Sequence, residues 1–210
     1  MPADVDALDW ARIEADLDAH GVARTGPLLD EAACRELCAL YDTGRFRSRI
    51  VMARHGFGSG EYQYFADPLP ATIARLRAAI YPHAARTANR WAARLGTPGY
   101  PSTLDGMLAA CHAAGQTKPT PLLLKYGPGD YNCLHQDIYG DHTFPIQVVI
   151  LLSDPDSFDG GEFVLTEQRP RMQSRVEVVP LRHGHAVAFA VTDRPKPGKR
   201  GYYRVKQRHG

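Results

Sequence analysis

The sequence is poor in cysteine, has no long apolar run and contains no internal repeat or low-complexity tract. A disulfide framework is not expected, because no CxxC pair occurs among its four cysteines, Cys34, Cys38, Cys111 and Cys133. No stretch approaches the roughly 20 apolar residues that a membrane-spanning helix needs. The start, Met1–Asp6, lacks the basic residues and apolar segment of a signal peptide, so we expect a reducing, cytoplasmic setting. A composition that is 44% hydrophobic and 23% charged excludes a disordered chain.

The formal net charge of +2 hides an asymmetry along the chain. Residues 1–167 carry 14 Lys and Arg against 21 Asp and Glu, or −7, whereas residues 168–210 carry 11 against 2, or +9. An acidic body followed by a basic segment suggests an anionic partner. The alternative is that the basic side chains pair with the acidic helical half of the same molecule. Both interpretations stay open at this point.

Hydrophobic periodicity predicts helices in most of the first 115 residues, including one that Asp30 caps and a helical stretch over residues 70–95 that Pro82 divides in two. Residues 45–54 and 61–65 favour strands. Short apolar runs bounded by turn residues then occupy residues 121–126, 144–153, 162–166, 176–179, 184–190 and 202–206. We expect one α+β domain over residues 1–210, in which residues 1–118 form a mainly helical support and residues 119–210 form a β-sandwich or jelly roll.

The pair His135 and Asp137 is the most informative candidate for chemistry. Side chains two positions apart in an extended segment point to one face, so an imidazole and a carboxylate can reach one cation. Two histidines and one carboxylate on one face of an octahedral metal are typical of non-haem Fe(II) oxygenases. A bare HxD also occurs often by chance as a solvated or salt-bridged pair.

Further motifs follow a fixed order around this pair: Y-x-x-G-x-Y from Tyr126 to Tyr131, the HxD, GGE at residues 160–162, and G-x-A-V-x-F from Gly184 to Phe189. The ordered set, which covers about the last 90 residues, resembles the Fe(II)/2-oxoglutarate dioxygenase superfamily in its prolyl-4-hydroxylase-like branch. The resemblance implies a double-stranded β-helix (jelly roll) core with a helical layer packed against it, and Fe(II), 2-oxoglutarate and O₂ as cofactor and co-substrates. More closely, the motifs together with Arg208-His209-Gly210 resemble a bacterial family proposed to act on damaged nucleic acid.

The resemblance also implies roles for individual residues. The family's distal histidine follows the G-x-A-V-x-F strand, which favours His209 as third metal ligand over His183 and His185, with His185 as the fallback. Tyr126 matches the tyrosine that hydrogen-bonds 2-oxoglutarate, although a core aromatic residue on a strand is the alternative. The family anchors the distal carboxylate with a Lys or Arg on a later strand. Because the sequence ends one residue after His209, we expect it to be truncated and to lack the last strand of the core.

The substrate is less determined than the reaction. Hydroxylation or oxidative dealkylation is implied, and an alkylated nucleobase in single-stranded or damaged nucleic acid fits the basic segment. The candidate substrate contacts are Tyr131, Tyr139, Arg204 and Arg208. Two alternatives are a prolyl, peptidyl or small-molecule hydroxylase and a non-catalytic cupin-like binding or sensor module. Neither a membrane nor an obligate protein partner is expected.

Overall fold

Helices dominate the first half of the chain and antiparallel strands the second half. The computed structural model describes residues 4–210, so residues 1–3 of the N-terminal stretch discussed above lie outside it. The α-helices in the described residues are α1 (Trp10–His20), α2 (Glu31–Ala39), α3 (Ala71–Leu95) and α4 (Leu104–Ala113). The strands there are β1 (Val22–Pro27), β2 (Phe46–Val51), β3 (Gly58–Ser59), β4 (Glu61–Phe65), β5 (Leu122–Lys125), β6 (Tyr131–Asn132), β7 (Ile146–Ile150), β8 (Phe163–Gln168), β9 (Ser174–Val179), β10 (His185–Ala190), β11 (Arg194–Gly198) and β12 (Gly201–His209). The predicted mixture of helices and sheets is confirmed.

The helices largely follow the local signals. The side chain of Asp30 accepts a hydrogen bond from the backbone N–H of Ala33 and caps α2, as the sequence predicts. The prediction that Pro82 divides the next helical stretch is wrong, because α3 runs unbroken through it. Pro82 faces solvent, while buried side chains on both sides of it, such as Tyr81 and Trp91, pack into the protein. This packing offsets the hydrogen bond that the proline ring removes. No helix within residues 4–210 combines the length and the apolar character needed to cross a membrane.

Strand β10 lies at the centre of the molecule, between β1 and β7. Its side chains alternate between two cores, as strand geometry requires. Ala188 and Ala190 pack against α1 and α3, where Trp91 is buried, and their small size lets the helices approach closely. Val187 and Phe189 pack on the opposite face against a second sheet with the order β11-β12-β8-β9. A helical layer, a three-stranded sheet and a four-stranded sheet are therefore stacked on each other.

A separate sheet with the order β2-β4-β5 joins the N-terminal half to the strands that follow it. The strands predicted over residues 45–54 and 61–65 are confirmed as β2 and β4. On one face of this sheet, Phe65 packs with Leu123 and Tyr41 in a buried cluster. Because side chains alternate along a strand, Tyr62 and Tyr64 of β4 lie on the other face. The first half of the chain thus contributes part of a sheet as well as helices.

Candidate metal centre

Three side chains that the sequence analysis proposes as ligands meet at one place. One ligand atom of each of His135, Asp137 and His209 lies within 4.8 Å of the others. His135 and Asp137 follow β6 in the chain, and His209 is the last residue of β12. The backbone N–H of Asp137 donates to the carbonyl oxygen of Val191, which holds the loop against the end of β10.

The geometry within this triad suits a shared cation. The Nε2 atom of His135 lies 3.5 Å from Oδ1 of Asp137, and Nε2 of His209 lies 3.4 Å from Oδ2. The two imidazole ring centres are 4.2 Å apart. Nδ1 of His135 lies 2.8 Å from the carbonyl oxygen of Cys133, to which it can donate only when it carries the proton. That tautomer leaves the Nε2 lone pair free for a metal.

Hydrogen bonds within the triad shift the pKa values of Asp137 and His135 in opposite directions. Burial alone would raise the pKa of Asp137, but hydrogen bonds with His135 and His209 outweigh it and hold the pKa below its usual range. The hydrogen bond with Asp137 raises the pKa of His135. Nδ1 of His209 is buried and has no hydrogen-bond partner within residues 4–210. An ionised carboxylate between two imidazoles is a donor set that fits Fe(II).

Neighbouring side chains hold the triad in place. Nε2 of Gln147 on β7 donates to Oδ2 of Asp137 over 2.7 Å. The ring of Phe189 on β10 packs edge-on against the His209 imidazole, with 4.8 Å between ring centres. Partners that orient metal-ligating groups commonly tune the affinity of the site. Sequence reasoning missed Gln147 in this role, since no local pattern links it to Asp137.

The two other candidate histidines lie elsewhere. His183 forms an isolated bridge with Leu151, and His185 begins β10, at the end of that strand remote from Val191. Neither belongs to a group of potential ligands in residues 4–210. His209, by contrast, is positioned by the pairing of β12 with β8, in which it lies opposite Leu165.

Tyr126 follows β5 directly and is 43% exposed, so it is not a core residue. Its ring lies over Gly60, where an added Cβ would come within 2.8 Å of Cδ1 of Tyr126. Gly60 has a φ of +110°, which L side chains rarely adopt, so both backbone conformation and space favour glycine here. Burial raises the pKa of Tyr126, while a hydrogen bond with Asn132 acts in the opposite direction.

The proposed substrate contacts separate into two groups. Tyr139 follows Asp137 by two positions in the chain, and burial and the charge on Asp137 both raise its pKa. Tyr131, on β6, exposes 60% of its surface. In the second half of β12, Val205, Gln207 and His209 are buried, whereas Arg204 and Arg208 lie on the opposite face. The structure does not bring these two arginines to the triad.

The basic segment is only partly neutralised. Three of its side chains, Arg169, Arg194 and Lys196, form ion pairs with Glu167. No ion pair within residues 4–210 involves the other eight, which are Arg171, Arg175, Arg182, Lys199, Arg200, Arg204, Lys206 and Arg208.

The acidic side chains of α1 form ion pairs with α3, not with the basic segment. Glu14 and Asp18 of α1 pair with arginines of α3, namely Arg86, Arg90 and Arg94. Within residues 4–210, no ion pair joins a basic side chain of residues 168–210 to a carboxylate of the helical half, although Arg194 donates to the backbone oxygens of Asp18 and Ala19 at the end of α1.

The sequence did not identify Tyr62 and Tyr64 of β4 as candidate site residues. Burial raises the pKa of Tyr62 to about 12 and also raises that of Tyr64, and the charge on Asp137 acts on both in the same direction. The alternation in Glu61-Tyr62-Gln63-Tyr64-Phe65 was a signal that both tyrosines share one face. Nothing in the local sequence indicates that the charge on Asp137 acts on this face.

Comparison with known proteins agrees with this fold. A solved prolyl-4-hydroxylase structure from Pseudomonas putida superposes with a TM-score of 0.55 at 18% identity, over 95% of this chain and 97% of that chain. The fold is thus similar to that of a prolyl hydroxylase. The chain belongs to the Oxygenase-NA family, whose profile matches residues 60–210 and is described as an oxygenase catalysing oxidative methylation of damaged DNA. Both resemblances expected from the sequence are confirmed.

Two curated relatives match part of this chain. The uncharacterized proteins MT2286 and Rv2227, from two strains of Mycobacterium tuberculosis, are each 51% identical over 148 residues. The match covers 70% of this chain and 64% of each relative. The chain therefore spans less than two thirds of the length of these relatives.

Proposed function

We propose that the protein is an Fe(II)/2-oxoglutarate-dependent dioxygenase that hydroxylates or oxidatively dealkylates a substrate, with an alkylated nucleobase as the preferred candidate. The convergence of His135, Asp137 and His209 in a chain of an oxygenase family carries this proposal. Fe(II) at this triad, with 2-oxoglutarate and O₂, would supply oxidative decarboxylation coupled to oxidation of the substrate. Three protein ligands on one face leave three coordination positions for co-substrates.

The protein's own residues have separable tasks in this proposal. His135 and His209 present Nε2, and Asp137 presents an ionised oxygen that the Gln147 amide orients. Tyr126 would donate its hydroxyl to a carboxylate of 2-oxoglutarate. Tyr126 lies just beyond β5 and is not a core residue, and its hydroxyl is protonated at neutral pH and can donate.

The proposal includes a double-stranded β-helix core and a single domain. The sheets β1-β10-β7 and β11-β12-β8-β9 would be the two halves of a double-stranded β-helix, because they face each other across the buried side chains of β8, β9 and β10. Residues 1–118 would support this core within a single domain.

Two observations support a nucleic-acid substrate. The family description refers to damaged DNA, and eight basic side chains of residues 168–210 have no acidic partner in the described part of the chain. Unpaired Lys and Arg provide sequence-independent affinity for phosphates. The likeness to a prolyl-4-hydroxylase at 18% identity is a likeness of fold alone, so it does not favour a peptide substrate.

Succinate formation from 2-oxoglutarate tests the proposal. We expect it to require Fe(II) and to be lost in His135→Ala, Asp137→Ala and His209→Ala. His185→Ala is the matched control and should retain it, because His185 lies away from the triad. Wild-type protein that binds Fe(II) without forming succinate would instead be a cupin-like binding module.

A second arm addresses the substrate. A methylated single-stranded oligonucleotide should stimulate turnover, and added salt should reduce the stimulation. If a proline-containing peptide stimulates turnover and the oligonucleotide does not, the nucleobase assignment is wrong.

A further inference from the structure

The face of the β2-β4-β5 sheet opposite Phe65 carries two half-buried tyrosines, Tyr62 and Tyr64, that the proposed iron chemistry does not use. Tyr62 and Tyr64 lie on this face with 5.5 Å between their ring centres, in an edge-to-face arrangement. On β5, Leu124 lies opposite Tyr62 and is 43% exposed. Exposed apolar surface of this kind next to a polar centre is typical of a binding surface.

Backbone hydrogen bonds join the segment before β4 to the segment before His135. Strand β3 directly precedes β4, and its Ser59 pairs with Tyr131 of β6, the strand that leads to His135. The backbone N–H of Cys133 also donates to the carbonyl oxygen of Phe57 over 2.8 Å. The start of β4 and the loop that carries the metal ligands are therefore held together.

A third tyrosine, Tyr139, lies on the loop that carries the metal ligands. It follows Asp137 by two positions and is 65% exposed. Burial raises the pKa of Tyr62 and of Tyr64, and the charges of Asp137 and Tyr139 act in the same direction. Tyr139 is thus an exposed aromatic ring on the loop that carries His135 and Asp137.

Arg47 places a positive charge at the outer edge of this surface. Its guanidinium carbon lies 4.3 Å from the centre of the Tyr64 ring, and Nε donates to the carbonyl oxygen of Pro119 over 3.1 Å. Arg47 forms no ion pair with a carboxylate within residues 4–210. It supports one side of the Tyr64 ring and leaves N–H groups available for an anion.

We propose that Tyr62, Tyr64 and Tyr139 form the surface on which the enzyme stacks a base extruded from nucleic acid, and that Arg47 contacts a phosphate beside that base. This inference rests on the proposed function, since it assigns the substrate surface of the same site. Every base has a π-face, so tyrosine stacking holds it without reading sequence, and extrusion brings it to a centre that cannot enter a duplex. The arginine supplies the charge complement for the backbone.

Binding to the metal-free protein tests the inference separately from catalysis. The probe is a labelled single-stranded DNA oligonucleotide with one N-methylated base, and fluorescence anisotropy measures its Kd. Tyr64→Ala and Tyr62→Ala should each raise the Kd by roughly tenfold to a hundredfold, as expected for loss of one stacked base. Tyr64→Phe and Tyr62→Phe keep the ring and should bind like wild type, which separates stacking from a loss of folding.

Tyr202→Ala is the matched control. Tyr202 also carries an arginine over its ring, with the guanidinium carbon of Arg94 4.8 Å from the ring centre, but it lies at the opposite end of β12 from His209. The Kd of Tyr202→Ala for the methylated oligonucleotide should equal that of wild type. A fully abasic oligonucleotide of the same length, which offers no base to stack, should bind wild type as weakly as the intact probe binds Tyr64→Ala.

The outcomes separate the two proposals. Kd values for Tyr62→Ala and Tyr64→Ala that match wild type would overturn the inference, as would an equal loss in Tyr202→Ala or base-independent binding by wild type. Base-dependent binding that needs Tyr62 and Tyr64, without succinate formation by the Fe(II)-loaded protein, would support the inference and refute the proposed oxygenase chemistry. Succinate formation stimulated by methylated DNA with an unchanged KM in Tyr64→Ala would support the chemistry and refute the stacking surface.

Discussion

The peptide groups of His135 and His209 hydrogen-bond to each other in both directions, with 3.0 Å between nitrogen and oxygen in each bond. This isolated antiparallel bridge joins a loop to the end of β12. The two imidazoles are therefore positioned by the backbone, and their ring centres lie 4.2 Å apart. Ligands held this way are preorganised before an ion binds, which is a requirement for a defined coordination geometry.

Replacing Gln147 by alanine should weaken metal binding although Gln147 is not a ligand in the proposal. Its amide donates to Oδ2 of Asp137, and loss of such an orienting partner typically costs roughly tenfold to a hundredfold in metal affinity. Titration of the metal-free protein with Fe(II) or Co(II) under anaerobic conditions measures this. Gln168→Ala, an exposed glutamine at the end of β8, is the control and should bind metal like wild type. Equal affinities in Gln147→Ala and wild type would contradict the orienting role.

Removing the hydroxyl of Tyr126 should affect the co-substrate selectively. Tyr126→Phe keeps the ring that packs over Gly60 but loses the donor to a carboxylate. Loss of one hydrogen bond to a charged group should raise the KM for 2-oxoglutarate by roughly tenfold to a hundredfold. Succinate formation at varied 2-oxoglutarate concentration measures this, with Tyr202→Phe as a control that should keep the wild-type KM. A lower kcat with an unchanged KM would assign Tyr126 another role.

Breaking the ion pair of Glu167 should destabilise the fold. The Arg194 side chain is fully buried, and it donates to Glu167, to the Gln207 amide and to backbone oxygens at the end of α1. Glu167→Gln leaves a buried guanidinium without its counter-charge, so we expect the free energy of unfolding at pH 7 to fall by about 3 kcal/mol. Urea denaturation measures the difference. Glu162→Gln, which replaces an exposed carboxylate in the loop before β8, should have little effect.

The same variant has a defined pH dependence. Burial alone would raise the pKa of Glu167, but the hydrogen bond with Lys196 and the charge of Arg194 outweigh it and lower that pKa below 4.5. The stabilisation is therefore fully present above about pH 4.5 and is lost as the pH falls through the lowered pKa. The difference between wild type and Glu167→Gln should stay constant near neutral pH and shrink under acid conditions. A difference that grows on acidification would contradict this linkage.

Arg47→Gln should change how nucleic-acid binding responds to salt. One phosphate contact on a single strand contributes about 0.7 to the slope of log K against log salt concentration, so the variant should show a slope reduced by about that amount. Anisotropy titrations of the methylated oligonucleotide at several salt concentrations measure it. Arg35→Gln, on the exposed side of α2 where Arg35 pairs with Glu31, should leave the slope unchanged. An unchanged slope in Arg47→Gln would remove the phosphate contact from the proposed substrate surface.

Local patterns were sufficient where neighbouring residues decide the structure. The capping of α2 by Asp30, the strands β2 and β4, and the pairing of His135 with Asp137 follow from contacts within a few residues. Pro82 shows the limit of such reasoning. Tertiary packing on both sides of it keeps α3 continuous, and no local signal reports that packing.

The sequence by itself determined the family, the HxD pair, the mixture of helices and antiparallel strands, and the charge asymmetry. Only the tertiary structure decided that His209, and not His183 or His185, joins the triad, because this depends on the register of β12 against β8 and on the bridge to His135. It also decided that Arg204 and Arg208 face away from the triad and that β3, which leads into the strand of Tyr62 and Tyr64, pairs with β6. Alternation along a strand is a local property that sequence shows, whereas the neighbour that each face meets is set by pairing between distant segments.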